Sequence, residues 1–155
     1  MTTLVLVRHA KSDWGSRSLD DHDRPLNERG LRDAPAMAAR VRDAGVTVDA
    51  ILSSTALRAR TTAGFFGAAL GAEPELDPEL YGAPAAELIA AAVRRGVDAV
   101  MVVAHDPGMT ALAGRLSDGG IGQMPTCAVA TFRWDTPDWD IATATDPDSW
   151  SFDSP

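Results

Sequence analysis

The sequence predicts an α/β fold: a three-layer sandwich with a mostly parallel central sheet, flanked by helices and mixed at one edge. Three observations carry this. Short β-branched apolar runs alternate with longer stretches of helical periodicity, the pattern of strands joined by crossover helices. The clearest run, Ala99–Ala104, is apolar throughout, as a strand covered on both faces is. The last two runs follow one another with no helix between them, which mixes the sheet at its edge.

The elements follow in order. Thr3–Val7 is the first strand. Arg8 to Arg24 is polar, with Gly15, three serines and a cluster of acids, and reads as a long loop of the functional or mobile kind. Asn27 is a helix N-cap, followed by Leu31, Ala34, Ala38 and Val41 at helical spacing. Pro35 inside that pattern predicts a kink or a late start, and Gly45 ends the helix. Val48–Leu52 is the second strand. Ser53-Ser54-Thr55 supplies cap chemistry for a helix over Ala56–Leu70, closed by Gly71. Glu73 to Tyr81, with Pro74 and Pro78, is an extended or turn segment. Ala85–Arg95 is a helix ended by Gly96. After the Ala99–Ala104 strand come His105-Asp106-Pro107-Gly108 and a helix over Met109–Leu116. Gly119, Gly120 and Gly122 make a flexible break. Thr126–Arg133 and Trp139–Thr143 read as strands, paired as a hairpin across Thr136-Pro137-Asp138. Residues 1–155 make one domain, with about 146–155 a loosely held acidic tail.

A length of 155 residues suits one domain with a real core. Lys+Arg 14 against Asp+Glu 22 leaves a net charge of −8. A nucleic-acid binder needs a basic face, so no nucleic-acid partner is expected. An anionic substrate remains open, because a few arginines in a cleft outweigh a diffuse negative surface. Cys127 is the one cysteine, which excludes an internal disulfide and a CxxC metal knuckle. It reads as a small buried hydrophobe. The first residues lack the basic n-region and cleavage site of a signal peptide, and no apolar run approaches the roughly 20 residues that span a bilayer. No membrane association is expected, and the expected compartment is the cytoplasm.

Three polar clusters follow directly after predicted strands: Arg8-His9, Ser53 through Arg58, and His105-Asp106. Ligands of open parallel sheets sit outside the carboxyl ends of the strands, so the three clusters meet at one end. A neutral imidazole is a competent nucleophile toward phosphorus. Arginine forks match phosphoryl oxygens, and a second histidine can hydrogen-bond another. A carboxylic acid then protonates a leaving alkoxide. The scheme requires no metal and no cofactor.

These residues also match a known pattern. Arg8-His9 in LVLVRHAKS resembles the RHG signature of the histidine phosphatase superfamily, with Ala10 where glycine is common. Arg24 to Gly30, RPLNERG, resembles the family's RPLTxxG segment. Ser53 to Ala59, with Thr61 or Thr62, resembles its SSxxxRAxxT element. Val103 to Pro107 resembles the strand that ends in the second histidine. The four occur in family order over roughly two-thirds of the chain, which is most similar to the small bacterial branch of SixA-type phosphohistidine phosphatases. The resemblance implies a phosphoglycerate mutase-like fold. It implies that His9 is the nucleophile and that Arg8, His9, Arg58 and His105 bind phosphate. For the general acid it implies Glu79, before the Tyr81-Gly82 turn, or Asp106, after the second histidine, or neither: a phosphoramidate leaves as neutral imidazole and needs little help.

Function follows in two versions: a phosphohistidine protein phosphatase, or an alternative phosphatase of small phosphate esters. A different class is a catalytically silent phosphoprotein-binding domain, and a mutase ranks below it. The partner is accordingly a phosphorylated protein or a small ester; the sequence is silent on oligomeric state. His22, among Asp20, Asp21 and Asp23, reads as part of a solvated acidic loop ahead of a divalent-cation site. Lys11 is either a surface cation or a cation at the pocket rim. Asn27 is a cap, and Trp14 in the long loop is a candidate substrate contact. Trp134, Trp139 and Trp150 read as packing against the sheet edge.

Overall fold

The computed structural model describes residues 1–15 and 17–155; Ser16, inside the loop predicted after the first strand, lies outside the described residues. Among these residues, six strands form one sheet: β1 (Thr2–Arg8), β2 (Ala50–Ser53), β3 (Pro74–Leu76), β4 (Ala99–Ala104), β5 (Val129–Trp134) and β6 (Ser149–Asp153). Their spatial order is β3-β2-β4-β1-β5-β6. The first four are parallel neighbours. β5 runs antiparallel to β1, and β6 antiparallel to β5. The expected mostly parallel sheet with one mixed edge is the sheet that forms.

Alternation along the strands builds the three layers. Val5, Val7, Ile51, Met101 and Val103 face α1 (Glu28–Asp43) and α2 (Leu57–Leu70). Leu4, Leu6, Leu52, Val100 and Val102 face α3 (Ala85–Arg95), α4 (Gly108–Leu116) and α5 (Trp139–Thr143). Each such side chain contributes about 1.5–3 kcal/mol on burial. A one-residue slip would turn every one of them to the wrong layer, so the strand register is tightly specified.

The Asn27 side chain caps α1 by accepting from Gly30 N–H at 2.9 Å. Pro35 neither delays nor divides this helix, which starts at Glu28. Pro35 and Leu31 are both exposed, so water can serve the Leu31 carbonyl that the missing N–H leaves free. The segment read as extended or turn holds β3 and a short 3-10 turn, Pro78–Leu80.

The C-terminal reading needs two corrections. Residues 139–143 are helical, and the hairpin across 136–138 does not form. Asp138 caps this helix by accepting from Asp140 and Ile141 N–H, and only Trp139 and Ala142, three apart, are buried. The apparent alternation of Trp139 and Ile141 was misleading, since Ile141 is exposed. The residues read as a loosely held tail instead form β6, which pairs with β5 from Val129↔Asp153 to Arg133↔Ser149. An Arg40–Asp153 ion pair ties the strand's end to α1. Its sequence signal was the alternation of Trp150 and Phe152. Of the tryptophans read as packed, Trp134 and Trp139 are buried, whereas Trp150, whose ring lies beside Gly120, is 42% exposed. No helix among the described residues is long and apolar enough to cross a membrane.

Candidate active site

β1, β2 and β4 run parallel, so the residues after them emerge together. The backbone continues the ladder past the strand ends: His9 N–H donates to the Ala104 carbonyl at 3.0 Å, and Ser54 N–H to the Val103 carbonyl at 3.0 Å. A cleft of about 320 Å³ opens there, lined by Arg8, His9, Lys11, Ser12, Trp14, Asp21, Arg24, Arg58, His105, Asp106 and Thr126. The structure thus brings Arg8, His9, Arg58, His105 and Asp106 into one cleft.

His9 and His105 are buried, their ring centroids 5.0 Å apart. His9 Nδ1 lies 2.7 Å from the Ala10 carbonyl. A carbonyl only accepts, so Nδ1 carries the proton and Nε2 keeps its lone pair. Burial is the largest influence on His9; with the charges of Arg58, Arg8 and Arg24, it outweighs the Ala10 bond and lowers the pKa to about 4. The ring is neutral at pH 7. Burial, then the neighbouring His9 and Arg58, lower His105 to about 3. Its Nε2 meets Ser54 Oγ at 2.8 Å, and that oxygen accepts from Ala56 N–H, which leaves the hydroxyl proton free to point at the ring.

The arginines are held along one edge. Arg8 Nη1 donates to the Met124 carbonyl at 2.8 Å and lies 3.5 Å from Asp106 Oδ2. Arg58 Nη1 donates to the Asp21 carbonyl at 2.7 Å, and Nη2 to Asp21 Oδ2 at 3.0 Å. Among the described residues, three buried side-chain polar atoms lack a partner: Arg8 Nε, Arg58 Nε and His105 Nδ1. A buried donor left unmatched costs about 1–3 kcal/mol, and all three belong to residues of this one cleft. Together they suit an oxyanion.

Local sequence explains the cradle. Thr62 Oγ1 donates to the Arg58 carbonyl at 2.8 Å and accepts from Ala10 N–H at 3.0 Å. It couples the loop after β1 to the helix that carries Arg58. Thr61 instead bonds within α2, to the Leu57 carbonyl, so Thr62 is the threonine of the SSxxxRAxxT-like element that reaches the site.

The two acid candidates separate. Glu79 is exposed and does not line the cleft; its N–H is bound by Asp77 Oδ1. Asp106 lines the cleft, but four donors converge on its two oxygens: Thr110 N–H and Oγ1, Gln123 Nε2, and Arg8 at 3.5 Å. That is the environment of an acceptor-only carboxylate.

Sequence reasoning missed Asp21. It sits in a 3-10 turn, Asp21–Asp23, and accepts from Tyr81 Oη at 2.5 Å, Arg58 Nη2 and Arg24 Nε. The Tyr81 bond foremost, with the two arginines, holds its carboxyl well below the usual range. Asp21 therefore faces arginines, not a shared cation site with His22, whose Nε2 meets Thr55 Oγ1 at 2.8 Å. Nothing in one acidic run distinguishes Asp21 from Asp20 or Asp23; only the fold does. Lys11 lines the cleft.

A family model for the histidine phosphatase superfamily, branch 1, matches residues 4–82. An uncharacterised protein of Mycobacterium tuberculosis is 40% identical over 109 residues, 69% of this chain and 67% of that protein. The crystal structure of a protein assigned as phosphohistidine phosphatase SixA from Agrobacterium tumefaciens is similar with a TM-score of 0.81 at 30% identity, covering 99% of this chain and 98% of that one. A solved structure assigned likewise, from Nakamurella multipartitia, gives 0.81 at 28% identity over 99% and 96% of the two chains. The family match runs from β1 to the turn after β3, through the elements that carry Arg8, His9 and Arg58; the chain belongs to the histidine phosphatase superfamily, branch 1, and is a phosphatase.

Proposed function

We propose that this phosphatase works without a metal, through a phosphohistidine formed on His9, and that its substrate is a phosphorylated histidine on a protein. One observation carries the mechanism. The Ala10 carbonyl engages His9 Nδ1–H, which leaves Nε2 as a neutral nucleophile in a cleft with three unpartnered donors on Arg8, Arg58 and His105. Those donors are assigned to the phosphoryl oxygens, where positioning and charge stabilisation are most of the catalysis. The Ser54 hydroxyl can donate to His105 Nε2, so that Nδ1 holds the ring proton and donates. The dianion then favours a protonated His105.

The steps balance without an enzyme acid. A phosphorylated imidazole whose distal nitrogen is protonated carries a positive ring. His9 Nε2 attacks phosphorus, the P–N bond breaks, and the electron pair returns to the ring, which leaves as neutral imidazole. Water then attacks phospho-His9 and the pair returns to Nε2, releasing phosphate and a proton. An alkyl ester would need a proton for its alkoxide. Asp106 is engaged as an acceptor and Glu79 lies outside the cleft, which supports the phosphohistidine substrate. The SixA assignment of two solved relatives supports it as well.

The test is phosphate release from a phosphohistidine protein and from an aryl phosphate, with EDTA and His9→Ala as controls. Preference for the phosphohistidine protein, insensitivity to EDTA and a loss of about 10³-fold or more in His9→Ala are expected. Preference for the aryl ester would move the assignment to small phosphate esters. Activity retained by His9→Ala would end the mechanism. Binding of phosphoprotein with no turnover would leave a silent binding domain.

A further inference from the structure

Trp14 is 72% exposed, yet it is held in place. The Arg24 guanidinium carbon lies 3.5 Å from its ring centroid. Arg24 is buried and is itself gripped by Ser12 Oγ, the Asp13 carbonyl and Asp21 Oδ1. The backbone below is fixed too. Asp13 N–H donates to the Pro25 carbonyl, Asn27 N–H donates to the Lys11 carbonyl, and Ser12 bridges Leu26. One face of the indole is therefore covered by a cation whose charge Asp21 offsets. The remainder is open to solvent, and Trp14 lines the cleft that His9 also lines. A tryptophan backed by a buried arginine and exposed in a cleft is a stacking surface for a flat or cationic ring.

We infer that Trp14 is a specificity-determining residue, whose open face stacks on the leaving ring of the substrate and selects phosphorylated imidazole over phosphate on an open-chain oxygen. The inference rests on the phosphohistidine reading above. The chemistry of departure makes the stacking selective. A ring that is to leave as neutral imidazole must be protonated at its distal nitrogen before the P–N bond breaks, so it enters as a cation. The electron-rich indole face attracts a cation, and thereby favours the form of the substrate that can leave. Acetyl phosphate, which has a good leaving group but no ring, gains nothing from that face.

The experiment measures kcat/KM of the full chain for a phosphohistidine peptide and for acetyl phosphate, in wild type, Trp14→Ala and Trp14→Phe. The ratio of the two values, peptide over acetyl phosphate, is expected to fall about three- to tenfold in Trp14→Ala. The change should lie mainly in KM for the peptide, and Trp14→Phe should recover most of it. Equal losses on both substrates would mean that Trp14 only supports Arg24, and would overturn the inference. An unchanged ratio would overturn it too. A wild-type enzyme that consumes acetyl phosphate but not the peptide overturns the substrate reading and this inference together. Turnover of both with a flat ratio overturns the inference alone.

Discussion

One hydrogen bond decides the chemistry available to His9, because the Ala10 carbonyl can only accept. The same logic extends outward to Arg58. Its Nη1 and Nη2 are both taken by Asp21, which leaves Nε facing no protein partner. Asp21 is in turn held by the Tyr81 hydroxyl, so a tyrosine after β3 sets the orientation of an arginine on α2. Asp21→Asn keeps the side-chain shape but weakens the grip on Arg58. Asp21 is about half exposed, so the expected cost is modest, about fivefold in kcat/KM. Tyr81→Phe should cost less, and the double variant should lose less than the product of the two, since both act through one contact. Additive losses, or a loss in thermal stability without one in kcat/KM, would show that the pair does not position Arg58.

At the scale of elements, the start of α1 presses on the loop that follows His9. A Cβ on Gly30 would stand 2.2 Å from the Lys11 carbonyl oxygen, a contact with backbone that no rotamer change relieves. This explains the glycine that ends the RPLNERG segment by packing alone. Gly30→Ala should drive α1 and the Lys11 backbone apart, at a cost of about 1–3 kcal/mol of stability. Because Lys11 lies two residues from His9, kcat/KM should fall as well. Thermal unfolding and steady-state kinetics on one preparation check both. The opposite edge of the sheet teaches a different lesson. Residues 139–143 alternate like a strand, yet one carboxylate, Asp138, accepts two N–H groups and starts a helix. The strand that pairs with β5 comes later, at Ser149–Asp153. A cap and a ladder, both short-range in space, outweighed a five-residue pattern of apolar positions.

For the whole molecule, burying two neutral imidazoles makes stability depend on pH. His9 is lowered to about 4 and His105 to about 3 when folded, from 6.5 unfolded. Between pH 6.5 and 4 the unfolded chain binds protons that the native one refuses. Stability therefore falls as pH falls through that window, by about 1.4 kcal/mol per pH unit for each imidazole. Above pH 6.5 both states hold these rings neutral and the dependence vanishes. Asp21 has the same sign in a more acidic window: its lowered pKa adds stability above about pH 4 that is lost only at stronger acid. Urea midpoints at pH 7.5, 6 and 5 should drop in that order, and the drop should shrink in His105→Gln. A flat profile would mean that the rings are not buried neutral.

Much of the fold was legible in residue order. Apolar runs of strand length alternating with helical periodicity yield a parallel α/β sheet, and chain direction alone then sends Arg8-His9, Ser53–Arg58 and His105-Asp106 to one end of it. These are local properties, written into neighbouring residues and into the handedness of their connections. Contacts between side chains far apart in sequence were not legible. The turn at Asp21–Asp23 delivers Asp21 to Arg58 across 37 positions and to Tyr81 across 60, and no periodicity marks either pair. Thr62 rather than Thr61 reaches Ala10 because of the rotation of α2. Glu79 lies outside the cleft because of the path taken after β3. Sequence by itself determined the layers and the family of the site. Tertiary structure decided which nitrogen, which carboxylate and which strand, because those choices depend on distances that only the folded backbone sets.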